Sequence, residues 1–213
     1  MFSPAAQRVF DKYESRLAAE NEQMRHGDPS TIMARRDEWL IPVGPEAGMF
    51  LYSLAVARGA KRILELGTSY GYSTLFLANA AKHNGGQLVT MELSPAKQSY
   101  ARKMLEEAML ADVVDWQRGD AVALIAAATG PFDMVLLDIW KELYLPCLEA
   151  FYPKLSDEAV VVADNMIEPP MFRTEARAYR RAIINLPDMQ SVLLPVGSGL
   201  EVSVKWPQNS AKL

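Results

Sequence analysis

The stretch ILELGTSYGYSTLFLA, residues 63–78, decides how the rest of the chain is read. An apolar run interrupted by one acid, Glu65, stops at Gly67, and Gly71 then opens a segment whose apolar residues recur at helical spacing. A short apolar run ended by glycine is the pattern of a buried strand, and the change of period marks its passage into a helix. Towards the C-terminus the same unit repeats. Strands are expected at 62–66, 87–92, 113–118, 134–138 and 159–163, separated by the helical stretches STLFLANAAKH, AKQSYARKMLEEAML and LPCLEAFYPKL. Strands alternating with helices in this way build a parallel, doubly wound sheet.

Before this core, residues 3–60 read as helices: SPAAQRVFDKYESRLAAENEQM, then DPSTIMARRDEW after a turn at His26-Gly27, then PEAGMFLYSLAVARG. After it, MQSVLLPV and LEVSVKW are joined only by Gly197-Ser198-Gly199, too short for a parallel crossover, so an antiparallel hairpin is expected. The expected fold class is α/β: a mostly parallel, seven-stranded, Rossmann-like sheet ending in that hairpin, with extra N-terminal helices. With 213 residues, half of them hydrophobic, the chain suits a single domain. Its expected parts are N-terminal helices over 1–60, a core over 61–207 and a tail over 208–213.

Charge and composition narrow the function. The net charge is -4 and the pI about 5.3, with basic residues scattered among acidic ones, so no nucleic-acid partner is expected. No apolar run reaches the roughly 18 residues of a membrane span, and MFSPAAQRVFDKYE lacks the charged-then-apolar order of a signal peptide. No membrane partner and a cytoplasmic location are therefore expected. One cysteine, Cys147, and two histidines, His26 and His83, exclude an internal disulfide and a thiolate or multi-histidine zinc site. Any metal must be held mostly by oxygen.

Gly67 and Gly71 stand where a backbone approaches a nucleotide-like cofactor, although a tight turn alone also calls for glycine. Glu65 precedes the loop, and Glu92 closes the next strand about 20 residues after Gly71, where an acid accepts hydrogen bonds from ribose hydroxyls. The dinucleotide pattern GxGxxG is absent; GTSYG places bulky Tyr70 where pyrophosphate would pack, which favours a cofactor without pyrophosphate, such as S-adenosylmethionine. Ser73 in the following helical turn joins this group. Asp120, in RGDA, suits either an adenine amino group or the N-cap of the next helix. Trp140 suits either a cover over adenine or core packing.

Asp138 ends one strand and Asp164 and Asn165 end another. In an open parallel sheet all strand carboxyl ends meet at one edge, so these residues converge. Two carboxylates repel unless a cation lies between them, and with an amide oxygen they form a hard half-shell suited to Mg²⁺. Capping of the segments that follow is the alternative. Lys141, three residues after Asp138, becomes a general base if a nearby cation and burial lower its pKa; otherwise it is a surface lysine. Glu201 begins the last strand, where a glutamate faces solvent or pairs with a neighbour.

The blocks HGDPSTI at 26–32, EWLIPVG at 38–44, LELGTSYGYST at 64–74, LLDIWKELYLP at 136–146, ADNMIEPP at 163–170 and GLEVSVKWP at 199–207 together resemble the catechol O-methyltransferase family in order and spacing. The resemblance spans nearly the whole chain and implies a class I methyltransferase sheet. It implies that Asp138, Asp164 and Asn165 bind Mg²⁺, that Lys141 takes the substrate proton and that Glu201 hydrogen-bonds the second hydroxyl. It also implies that Glu92 holds the ribose, that Trp39 and Pro169 wall an aromatic ring, and that Val43 lies near the methionine end of the cofactor. Three positions depart from the family: Ile139 replaces a histidine beside the metal-binding aspartate, Ala121-Val122 replaces a Ser-Gln pair near adenine, and Ile41 replaces a methionine flanking the substrate. The activity implied is Mg²⁺-dependent methyl transfer from S-adenosylmethionine to a small aromatic vicinal diol. A relative acting on a phenylpropanoid thioester or another natural-product diol, and a nicotinamide-dependent oxidoreductase, are the alternatives.

Overall fold

The computed structural model describes residues 2–207, so the expected tail lies outside the described residues. Helix α1 (Pro4–His26) starts at Ser3, whose hydroxyl accepts the Ala6 N–H at 3.2 Å, with proline in the first turn. There follow α2 (Pro29–Ala34), α3 (Pro45–Arg58), β1 (Arg62–Leu66), α4 (Tyr72–Asn84), β2 (Gln87–Glu92), α5 (Pro95–Glu107), β3 (Val114–Arg118) and α6 (Ala121–Ala127). The chain continues through β4 (Phe132–Leu137), α7 (Tyr144–Phe151), β5 (Leu155–Ala163), α8 (Arg173–Ile184), β6 (Met189–Leu194) and β7 (Leu200–Lys205).

These strands form one seven-stranded sheet in the order β3-β2-β1-β4-β5-β7-β6. Strands β1 to β5 are parallel, and β7 runs antiparallel between β5 and β6, the reversed hairpin expected from the three-residue link. Both faces of the central strands are buried, as a parallel sheet requires. On β5, Val160 and Val162 enter a core built with α1, α3, α4 and α5, while Val161 and Ala163 enter one built with α6, α7 and α8. Among the described residues no helix is long and apolar enough to cross a membrane.

Several boundaries differ from expectation. The DPSTIMARRDEW segment, 28–39, is not one helix: α2 stops at Ala34 and a 3₁₀ turn, Arg36–Glu38, follows. The helix expected to run through LPCLEAFYPKL ends at Phe151, because Pro153 has no N–H to continue it, and β5 begins at Leu155. Strand β4 closes at Leu137, which leaves Asp138 just beyond the ladder. Strand order reverses between β1 and β4, and the crevice at their carboxyl ends is where an open α/β sheet offers a site.

Candidate active site

The loop after β1 is shaped by protein packing. At Gly67, with φ +99°, a Cβ would stand 2.0 Å from the Asp138 carbonyl oxygen, and the Asp138 N–H donates to Leu66 O at 3.0 Å. At Gly71, with φ +91°, a Cβ would meet Ala101 Cβ at 2.8 Å and Tyr13 Oη at 2.9 Å. Both glycines are thus required by the packing of the chain itself, the tight-turn alternative of the sequence, and Gly67 also borders a cleft. The consequence at Gly67 is functional all the same: the end of β4 is drawn onto the loop. Leu40, Ile41, Pro42, Val43, Thr68 and Asp138 border the small cleft so formed.

The acids near this loop differ in what they hold. Glu92 accepts the Ser69 N–H on one oxygen and the Ser94 N–H on the other, each at 2.8 Å, fixing the loop to the end of β2. Glu65 is fully buried and accepts hydroxyls from Ser73 at 2.6 Å, Thr74 at 2.7 Å and Thr90 at 2.6 Å. Glu65 therefore does not face the cleft, and Ser73, which borders it, commits its hydroxyl inward. Burial raises the Glu65 carboxyl to about 7 even against these three bonds. Tyr70 also borders the cleft, but its ring packs under the Arg16 guanidinium at 4.0 Å and edge-on to Tyr100 at 5.4 Å. Asp120 caps α6, its Oδ1 accepting the Ala123 N–H at 2.9 Å. Trp140 is 43% exposed, and Leu93, which the sequence did not single out, is 73% exposed directly after Glu92.

At the ends of β4 and β5 the polar residues converge. Asp164 is buried with Oδ1 lacking any hydrogen-bond partner. Burial, then the charge of Asp138, pushes its carboxyl up to about 7. Burial likewise raises Asp138. Asn165 sits at φ +53°, a left-handed conformation that asparagine tolerates. Its Oδ1 accepts from Lys141 Nζ at 3.0 Å. Lys141 is 5% exposed, which removes the surface-lysine reading, and its Nζ also donates to Ile139 O at 3.3 Å and to the Tyr144 hydroxyl. Burial lowers the Lys141 pKa, while Asp138 and Asp164 oppose that shift. Tyr144 escaped the sequence reading because an aromatic at the start of a helix looks like core. Its fully buried hydroxyl lies 3.0 Å from Leu137 O and 2.9 Å from Asp164 O, and burial raises its pKa so that it stays a phenol.

Other expected residues are placed less openly. Glu201 is fully buried on the α8 side of the sheet, bonded by Arg180 Nε at 3.0 Å and by the Ser191 hydroxyl. In register it pairs with Ala163, the residue before Asp164, so it stands at the carboxyl end of β5 but closed from solvent, with Arg180 of α8 as the partner that its charge needs. Trp39 is 8% exposed and donates its indole N–H to Ile32 O at 3.1 Å, whereas Pro169 is exposed. Ile41 is 65% exposed at φ +39°. Among the described residues no group of three or more His, Cys, Asp or Glu side chains is placed to hold a metal, so a cation here would rest on two carboxylates and one amide.

Comparison with known proteins agrees with this layout. A family model described as a methyltransferase domain matches residues 64–166. The crystal structure of the O-methyltransferase TomG from Streptomyces achromogenes, in complex with S-adenosylmethionine, superposes with a TM-score of 0.73 at 27% identity, covering 85% of this chain and 91% of that one. The fold and loop therefore define a methyltransferase. A catechol O-methyltransferase from Niastella koreensis is 36% identical over 155 residues, 71% of this chain, and the match spans 65% of its length, just under two thirds. A transmembrane O-methyltransferase from Propithecus coquereli is 30% identical over 187 residues, 78% of this chain and 68% of that protein. The chain belongs to the S-adenosylmethionine-dependent O-methyltransferases related to catechol O-methyltransferase.

Proposed function

We propose that the protein transfers a methyl group from S-adenosylmethionine to one hydroxyl of a catechol-type acceptor, with a divalent cation such as Mg²⁺ at the ends of β4 and β5. The orphaned Oδ1 of Asp164, buried beside a second carboxylate, is the observation that carries this reading. A buried like-charged pair with an unused oxygen is a donor set short of one cation, and Asp138, Asp164 and Asn165 would hold it through oxygen alone. When bound, a divalent cation lowers the pKa of a coordinated hydroxyl and fixes its orientation.

The rest follows from the chain's own side chains. Lys141, with its pKa lowered by burial, accepts the acceptor's hydroxyl proton at Nζ. Tyr144 fixes that nitrogen from behind while keeping its own proton. S-adenosylmethionine, when bound, would supply the methyl carbon to the deprotonated oxygen, with the carbon–sulfur electron pair going to sulfur and S-adenosylhomocysteine as the leaving product. Opposite charges neutralise in this step, so alignment and exclusion of water supply much of the acceleration. Trp39 and Pro169 flank the acceptor ring, and Ile41 shapes its pocket. Glu92 keeps lone pairs for ribose hydroxyls beyond its two backbone bonds. Val43 borders the cleft for the methionine end, and the exposed faces of Leu93 and Trp140 suit a flat base, with the Asp120 carboxylate near its amino group. Glu201, held by Arg180 and Ser191 through one bond on each oxygen, keeps lone pairs for a second acceptor hydroxyl.

Methyl transfer from labelled S-adenosylmethionine to a panel of vicinal diols, with Mg²⁺ and then with chelator, tests the proposal. The expected result is transfer that chelator abolishes. An undiminished rate in chelator removes the cation, and cofactor binding without turnover on any diol removes the reaction. Lys141→Ala is expected to slow turnover by roughly 10² to 10⁴, the range for a lost general base.

A further inference from the structure

We infer that Arg16 and Glu20 of α1 are positioning residues for the acceptor side of the site, holding segment 37–41 against the loop that follows β1. This deepens the proposed methyl transfer and rests on it for the identity of the acceptor. An exposed i,i+4 pair on a helix contributes little by itself. Here the pair, 2.6 Å apart, is turned inward: Glu20 is 8% exposed and its Oε2 accepts the buried Leu40 N–H at 2.7 Å. Arg16 Nη2 donates to Glu38 O at 2.9 Å, and its guanidinium lies over the Tyr70 ring at 4.0 Å and the Tyr100 ring at 5.0 Å.

Tyr70 completes the arrangement from the cofactor loop. Its hydroxyl donates to Asp37 O at 3.0 Å, and its own carbonyl accepts the Tyr13 hydroxyl at 2.7 Å. On α5, Lys97 lies 3.6 Å from the Asp37 carboxylate. Three backbone groups of the segment, Asp37 O, Glu38 O and Leu40 N, are therefore held by side chains from α1 and the cofactor loop. The next residue, Ile41, is β-branched and sits at φ +39°, a conformation that persists only where its surroundings over-determine it. Ile41 and its neighbours border the same cleft as Asp138 and Thr68. Tyr70 reaches the segment from the cofactor loop, which is itself anchored separately, by Glu92 at the Ser69 N–H and by the Tyr13 hydroxyl at the Tyr70 carbonyl.

The test compares Glu20→Ala with Glu20→Gln, whose amide oxygen still accepts the Leu40 N–H. Losing one buried hydrogen bond corresponds to about a tenfold effect. Glu20→Ala is expected to speed hydrogen exchange across 37–41 and to raise the acceptor KM about tenfold, with cofactor affinity by calorimetry within about twofold. Glu20→Gln is expected to restore most of both, and Arg16→Ala to resemble Glu20→Ala. Unchanged exchange in Glu20→Ala overturns the inference. So does faster exchange with an unchanged acceptor KM, or a matching loss of cofactor affinity, which marks general loosening. A wild-type protein inactive on every vicinal diol sinks the reaction proposed above, and the exchange comparison then decides the latch alone.

Discussion

Beneath the loop after β1, Glu65 receives three hydroxyl groups and Glu92 two backbone N–H groups, whereas at the ends of β4 and β5 the charge of Asp138 adds to the burial of Asp164, whose Oδ1 has no partner. Glu65 and Asp164 arrive at the same value, about 7, and burial is the first cause in both. The second causes have opposite sign. Hydroxyl bonds pull Glu65 back down, while the Asp138 charge pushes Asp164 further up. Equal pKa values thus describe a finished internal network at one end of the crevice and a donor set short of a cation at the other.

The sharpest way to break this contrast is Asp164→Asn, which removes one carboxylate from the unfinished end. Several kcal/mol of charge stabilisation depend on that pair in the proposed reaction, so turnover on a catechol is expected to fall about 10³-fold. Metal-free stability moves the other way, because the repulsion goes with the charge. In thermal melts the wild type is expected to gain stability on adding Mg²⁺ and the variant not to. An unchanged turnover ends the idea that the pair holds a cation.

A smaller effect separates the two acids by pH. Glu65 titrates near 7 in the folded protein and near 4.5 unfolded, so between those values the folded state keeps a proton that the unfolded chain has lost. Stability is then fully present below about 4.5 and declines as pH rises through 7, by up to about 3 kcal/mol. Asp164 contributes a decline of the same sign in metal-free protein. Saturating Mg²⁺ suppresses the Asp164 part alone. Denaturant melts at pH 5.5 and 8.5 in Mg²⁺ should therefore show a decline in the wild type that Glu65→Gln flattens. A decline that Mg²⁺ removes entirely would assign it all to the aspartates.

Legibility in the sequence follows the same division. Strand positions and the reversed hairpin were readable because apolar runs, glycines and link lengths are local signals, as at 62–66, 87–92 and the Gly197-Ser198-Gly199 link. The convergence of Asp138, Asp164 and Asn165 followed from topology, since all parallel strands end on one edge. What stayed hidden are partners supplied across the fold. Thr90 beside Glu65, Arg180 over Glu201 and Glu20 at Leu40 lie 25, 21 and 20 residues away from what they bind. None has a local pattern of its own. The glycines were readable as special, yet what fills their space, the Asp138 backbone and Tyr13, is a tertiary fact.

The smallest expected effect concerns the amine already present at the unfinished end. Under the loop after β1, hydroxyls donate to carboxylates; at the end of β4 a hydroxyl oxygen accepts, Lys141 Nζ donating to Tyr144. Tyr144→Phe keeps the ring that packs edge-on to Tyr179 at 5.4 Å but deletes the oxygen between Lys141 and the two carbonyls. Turnover is expected to fall about tenfold, near 1.4 kcal/mol, with the cofactor KM unchanged. A general loss of folding would slow the enzyme whether or not Lys141 is present, so the decisive measurement is the double variant. If Tyr144 acts by placing the amine, Tyr144→Phe costs almost nothing once Lys141 is alanine, because the group it placed is gone. An equal cost in both backgrounds makes the hydroxyl part of the core, and the contrast between the two ends then rests on the acids alone.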